Sequence, residues 1–105
     1  KLISTGLSFE IPEGYELQVR PRSGMSLKTK IRVSNTPGTI DSDYRGIVSI
    51  ILDNIGAYGS LPYEIKKGDR IAQGVITKIE QATFIESSEL SETERGQGGF
   101  GSTNK

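Results

Sequence analysis

The chain has 105 residues, 33% of them hydrophobic, with 13 Lys+Arg set against 13 Asp+Glu for a formal net charge of zero. That length supports one domain with a modest core, and the charge balance excludes the bulk positive field on which non-specific nucleic-acid binding depends. With no His and no Cys, disulfides, thiolate metal sites, Cys nucleophiles, His-based zinc sites and the Ser-His-Asp arrangement all drop out, so any acid–base chemistry must run on carboxylates.

Leu7, Phe9 and Ile11 alternate with polar residues, and so do Tyr15, Leu17 and Val19 beyond Pro12-Glu13-Gly14, which predicts a hairpin or meander. Ser23 to Lys28 suits a short turn of helix, and no segment sustains a 3.6-residue apolar period. Ile31-Arg32-Val33 reads as a short strand. The β-branched run from Ile47 to Leu52 suits a strand buried on both faces. Further strands are expected at Tyr63-Glu64-Ile65, at Ile71 to Ile79 and at Thr83-Phe84-Ile85, with turns at Thr36-Pro37-Gly38, Asp53-Asn54, Gly56 to Gly59 and Lys67-Gly68-Asp69.

The predicted class is therefore all-β: a sandwich, jelly roll or barrel over residues 1–86, followed by an arm over 87–105. Several strands are more apolar than one buried face requires, so either the chain oligomerises or its central strands lie deep within a monomer. No 18-residue apolar run occurs and the opening Lys1-Leu2-Ile3-Ser4-Thr5 lacks an apolar h-region, so the expected location is the cytoplasm, away from membranes.

Three polar stretches interrupt the strands. Asp41-Ser42-Asp43-Tyr44-Arg45-Gly46 carries two carboxylates at i and i+2, on one face if extended. It reads either as an ion-pair turn or as an Asp that activates water beside a tyrosine ring presented to a ligand. Arg20-Pro21-Arg22-Ser23-Gly24 reads as an anion cradle or as a solvated basic turn. Arg95-Gly96-Gln97-Gly98-Gly99-Phe100-Gly101-Ser102-Thr103 has the close-approaching glycines, guanidinium fork and flat ring that suit a nucleotide; it also has the composition of a disordered tail.

Taken in chain order, Arg20 to Gly24, Asn35 to Gly46, Gly68-Asp69-Arg70-Ile71-Ala72-Gln73 and Arg95 to Thr103 resemble motifs two to five of the trimeric dUTPase family over nearly the whole chain. The first motif of that family, of the Ala-Gly-Tyr-Asp-Leu type, has no counterpart here, and incompleteness of the chain is the expected reason. Met25-Ser26 stands where Leu-Ala is more usual, and Asn104 where glycine commonly ends the fifth motif.

The resemblance implies a distorted jelly-roll homotrimer that hydrolyses dUTP to dUMP and pyrophosphate, controlling the dUTP level and supplying dUMP. Each site would be built from three subunits, with Mg²⁺ held mainly by the triphosphate and water and by no side chain directly. It implies that Asp41 activates the water and that Tyr44 sits against the deoxyribose. Asn35 would bind uracil together with the hairpin main chain at Gly38, Thr39 and Ile40. Arg22, Ser23, Gly24 and Gln73 would hold the α- and β-phosphates. Arg95, Ser102 and Thr103 of the arm would take the γ-phosphate, with Phe100 stacked on uracil between Gly99 and Gly101. The alternatives are a dUTP-sensing or partner-binding protein of the same fold and a dCTP deaminase, which shares the jelly roll but uses a glutamate where this chain has the Asp41-Ser42-Asp43-Tyr44 pattern.

Overall fold

Period-two alternation decides the architecture. In β2 (Tyr15–Arg20) Leu17 and Val19 are buried, whereas Glu16, Gln18 and Arg20 are only half-buried. In β5 (Ser49–Asn54) Ile50 and Leu52 are buried and Ile51 is exposed. Each strand thus has one inward face, and two such faces stacked on each other make a sandwich. A computed structural model describes residues 1–102 of the chain. One antiparallel sheet runs in the order β1 (Leu2–Ser4), β5, β3 (Ile31–Val33); the other runs β4 (Gly38–Ile40), β2, β6 (Gln73–Lys78).

Register carries the apolar residues inward. Ile3 pairs with Ile50 and Val33 with Leu52 in the first sheet. In the second, Leu17 pairs with the half-buried Ile40 and with Ile76, which stays 54% exposed, and Val19 pairs with Gly38 on one side and Gly74 on the other. Val19, Ile31, Val33, Val48, Ile50 and Leu52 form the buried core, on which Ile3, Met25, Ile40, Ile65, Ile71 and Ala72 pack. A six-residue helix, α1 (Ser23–Lys28), bridges β2 and β3 and ends where both the amide and the hydroxyl of Thr29 donate to the Met25 carbonyl, at 3.0 and 2.6 Å.

Several expected strands take other forms. The run from Leu7 to Ile11 is irregular, although the Leu7 carbonyl accepts from the Val48 amide at 2.8 Å and Ile11 is buried. Tyr63 to Ile65 and Thr83 to Ile85 form no strand, because none of the strands beside them lends its backbone as a partner. Ile47 to Leu52 is buried on one face, not two, since only one sheet lies against it. The short strands β1 and β4, by contrast, arise where the sequence showed no clear alternation.

Beyond Lys78 the described residues form no further strand and are almost all exposed. The radius of gyration is 19.3 Å, against about 13 Å for a compact chain of this length, so residues after β6 reach away from the sandwich. Among the described residues no helix is long and apolar enough to cross a membrane.

Leu52→Ala, which empties a site 5% exposed, is expected to lower unfolding free energy by about 2–5 kcal/mol in urea titration. Leu61→Ala, at 90% exposure, should cost about 0.5 kcal/mol or less in the same titration.

Candidate functional site

Asp41 follows β4 directly, and its position is set by the strand before it. Gly38 is buried against Val19, where a β-carbon on the glycine would come within 3.3 Å of the valine Cβ. Two residues on, Ile40 packs inward beside Leu17. The chain then leaves the sheet, and the Tyr44 amide donates to the Asp41 carbonyl at 3.1 Å to close a turn. Asp41 and Asp43 are exposed and neither joins an ion pair among the described residues.

Arg45 holds this turn without using either aspartate. Its Nη1 donates to the Ser42 carbonyl at 2.6 Å and to the Tyr44 carbonyl at 3.3 Å, while Nη2 lies 3.8 Å from Glu10 Oε1. The ion-pair reading of this hexapeptide therefore fails in its stated form: the guanidinium spans backbone carbonyls and leaves both Asp carboxylates open to the cleft.

Asp41 borders two concavities. One, of about 340 Å³, is lined by Thr39, Ile40, Tyr44 and Ile47 among others. The other, of about 700 Å³, is polar and includes Glu13, Ser42, Asp43 and Arg45. Both volumes lie within the range of small-molecule sites. Asn35 sits on the β3–β4 connection, exposed, with its amide beside Gly38: a β-carbon on that glycine would be 3.5 Å from Asn35 Nδ2. The Thr36-Pro37 peptide bond on the same connection is cis.

The second and fourth motifs meet at one hydrogen bond. Gln73, first residue of β6 and paired with Arg20, sends its Nε2 to the Pro21 carbonyl at 2.9 Å. Arg22 caps α1 through its backbone with no side-chain capping bond, and Ser23 and Gly24 are the first two helical residues, both exposed. Arg22 and Gln73 together line a slot of about 290 Å³ between the sheets, with Leu17, Val19 and Ile50. Asp69 serves the turn before β6, its Oδ2 accepting from the Lys66 amide at 2.8 Å.

The terminal stretch folds on itself. Gly98 N–H donates to the Arg95 carbonyl at 3.2 Å, Ser102 N–H donates to the Gly99 carbonyl at 3.1 Å, and Arg95 Nε donates to the Gly98 carbonyl at 2.7 Å. Phe100 has φ 51 and a wholly exposed ring; Gly101 has φ 85. Thr103, also expected in the site, lies outside the described residues.

Within one chain the expected site residues fall into three groups. The pocket containing Thr39, Ile40, Asp41 and Tyr44 includes none of Arg22, Ser23, Gly24 or Gln73, and the described residues of the arm line neither that pocket nor the polar cleft. Sequence reasoning missed Leu2, which helps line the Tyr44 pocket, and the Ile47 carbonyl, which accepts from the Tyr44 hydroxyl at 3.0 Å. A backbone acceptor leaves no signal in residue type. Among the described residues no three carboxylates cluster to hold a metal ion. The cleft's acidic donors are all oxygens, a set that fits a hard cation brought in on a polyphosphate.

The profile of the family described as dUTPase matches residues 1–104. The chain belongs to the dUTPase family. It is 60% identical over 105 residues to the deoxyuridine 5'-triphosphate nucleotidohydrolase of Nautilia profundicola, covering all of this chain and 72% of that one. The enzyme of the same name from Wolinella succinogenes is 57% identical over 104 residues, 99% of this chain and 68% of the relative. Among solved structures, a variant of the Staphylococcus bacteriophage 80alpha dUTPase with dUpNHpp superposes with a TM-score of 0.86 at 30% identity, covering 98% of this chain and 75% of that one. A mutant dUTPase from phage phi11 of S. aureus, described for the coordination of a structural Mg(II) ion, gives 0.72 at 27% identity over 85% of this chain and 72% of that one. The all-β dUTPase fold is thus common to this chain and its structural neighbours.

The Arg45 contacts predict an asymmetry. Arg45→Ala, which removes both Nη1 hydrogen bonds to the turn, is expected to lower stability by about 1 kcal/mol. Glu10→Gln, which removes one exposed ion-pair partner, should change it by about 0.5 kcal/mol or less. Thermal melting of the two variants side by side checks this.

Proposed function

We propose that this chain hydrolyses dUTP to dUMP and pyrophosphate, with Asp41 as the base that takes a proton from the attacking water. The observation that carries the reading is that Asp41, with no ion-pair partner among the described residues, lies on the wall common to the nucleoside-sized pocket of Tyr44 and the larger polar cleft. A carboxylate there reaches a water on one side and the sugar end of a nucleotide on the other.

In this reading Tyr44 stands against the deoxyribose, where its ring leaves no room for a 2′-hydroxyl. Asn35 and the main chain at Gly38, Thr39 and Ile40 hydrogen-bond the uracil edge, and a wrong base leaves those groups unpaired. Arg22, Ser23, Gly24 and Gln73 hold the α- and β-phosphates; the Gln73 to Pro21 hydrogen bond supports their acting as one unit. Water attacks the α-phosphorus, the bond to the bridging oxygen breaks, pyrophosphate leaves, and the water proton passes to Asp41 Oδ. A carboxylate is a weak base, so the charge gathering on phosphate oxygens must be neutralised; Mg²⁺ chelated by the triphosphate supplies that neutralisation when bound.

Residues 87–105 form the arm that closes over the nucleotide. Arg95, Ser102 and Thr103 take the γ-phosphate, and Phe100, with Gly99 and Gly101 on either side, stacks on the base, a contact worth about 1–3 kcal/mol. The active form is a cytoplasmic homotrimer whose subunits share each site. Two observations support the sharing: the Tyr44 pocket and the Arg22–Gln73 slot have no expected site residue in common and no described arm residue lines either, and Phe84 and Ile85 before the arm and Leu90 within it are 96, 86 and 90% exposed, apolar surface that a neighbouring subunit would cover.

Asp41→Asn is expected to cut pyrophosphate release about 10²–10⁴-fold while dUTP still binds in equilibrium titration. Unchanged turnover removes Asp41 from the role of base. Deleting 95–105 should preserve the melting temperature and oligomeric mass but lose most of the turnover, and a full rate from the truncated protein would end the arm's role as a lid.

A further inference from the structure

Gly46 closes the hexapeptide that begins at Asp41 and contributes no functional group. Its backbone is ordinary: Gly6, Gly14, Gly59, Gly68, Gly96 and Gly101 have positive φ, and Gly46 is not among them. Conformational freedom therefore does not explain the glycine. Space does. The Tyr44 ring folds back over this residue, so that a β-carbon built on Gly46 would fall on the Tyr44 hydroxyl oxygen, 2.5 Å from Cζ and 2.9 Å from Cε1. Carbon atoms pack at about 3.5–4.0 Å, so the ring and any side chain at 46 cannot both keep these positions.

The tip of the ring is fixed as well. The Tyr44 hydroxyl donates to the Ile47 carbonyl at 3.0 Å, and Ile40 and Ile47 line the same pocket. Tyr44 is 44% exposed, so packing alone does not hold it. The missing side chain at 46 and the carbonyl at 47 define where the ring rests.

We infer that Gly46 is a positioning residue for sugar discrimination: the vacant space above it seats the Tyr44 ring at the depth that admits a deoxyribose and excludes a ribose. This rests on the reading of Tyr44 given under Proposed function. A methyl group at 46 drives the ring out of its seat and breaks the hydrogen bond to Ile47. The ring then no longer occupies the volume that a 2′-hydroxyl would need.

The test measures kcat/KM for dUTP and for UTP in the full chain, for Gly46→Ala, Tyr44→Ala and the double variant. Both single variants are expected to lower the dUTP-to-UTP ratio about tenfold or more. The double variant should match Tyr44→Ala alone, because the three atoms nearest the added methyl all belong to the Tyr44 ring and hydroxyl and are gone. If Tyr44→Ala lowers the ratio and Gly46→Ala does not, the inference about Gly46 is wrong and the role of Tyr44 stands. If Gly46→Ala costs as much in the Tyr44→Ala background as in the parent, the glycine acts through the backbone and the inference is again overturned. If Tyr44→Ala itself leaves the ratio unchanged, the reading of Tyr44 is what fails, and the inference goes with it. Should Gly46→Ala not fold, Tyr44→Phe and the Tyr44→Phe/Gly46→Ala double variant take its place. Cζ and Cε1 of the ring still stand 2.5 and 2.9 Å from the added methyl, so the double variant should show a ratio about tenfold below Tyr44→Phe, and equal ratios overturn the inference.

Discussion

Val19 has glycine on both sides. It pairs with Gly38 of β4 and Gly74 of β6, and the two glycines allow an approach that a side chain would block: a β-carbon on Gly38 would come within 3.3 Å of Val19 Cβ, and one on Gly74 within 2.9 Å of Leu17 Cδ1. These two pairings position both halves of the proposed site. On one side it makes Ile40 the last inward residue of β4 and sends Asp41 out of the sheet. On the other it sets Gln73 opposite Arg20, within reach of the Pro21 carbonyl. A slip of one residue would turn Thr39 inward and Ile40 outward, and no core of this size could absorb the exchange.

The cost of so short a sandwich is an incomplete surface. Leu2, Ile47 and Ile51 are 65, 53 and 41% exposed, and Ile51 projects from the outer face of β5 while Ile50 and Leu52 fill the interior. A lone chain leaves that apolar face in water, together with the apolar residues that follow β6. In the proposed trimer, association of copies would cover the face and bring site groups of different subunits together, so burial and the proposed catalysis would favour the same assembly.

Much of this was legible in the residues. The alternation in Tyr15 to Arg20 and in Ile31 to Val33 gave the right strands because each has one buried face. The Ile47 to Leu52 run misled, because β-branched density signals strand propensity without saying how many faces another sheet covers. Tyr63 to Ile65 and Thr83 to Ile85 misled for a related reason: strand propensity is expressed only where a partner backbone is available, and topology supplies none there. The polar motifs were visible from their order along the chain and the family resemblance that order carries; residue type alone raised Asp41 and Tyr44 as one of two readings and left Gln73 an ordinary polar strand residue. Their fixation was not visible. The Ile47 carbonyl under the Tyr44 hydroxyl, the Pro21 carbonyl under Gln73 and the carbonyls of Ser42 and Tyr44 under Arg45 are main-chain acceptors, which every residue possesses and no sequence pattern marks.

The two tight turns near the end of the chain, Arg95 to Gly98 and Gly99 to Ser102, are each closed by a local backbone hydrogen bond, with the Arg95 side chain adding another across the first. A peptide already bent in this way loses fewer rotational states on docking than a freely varying one. The serine- and glutamate-rich spacer from Ser87 to Glu94 is exposed and forms neither helix nor strand. If the arm closes as proposed, spacer composition would tune how often the end arrives, while the preformed turns would govern how long it stays.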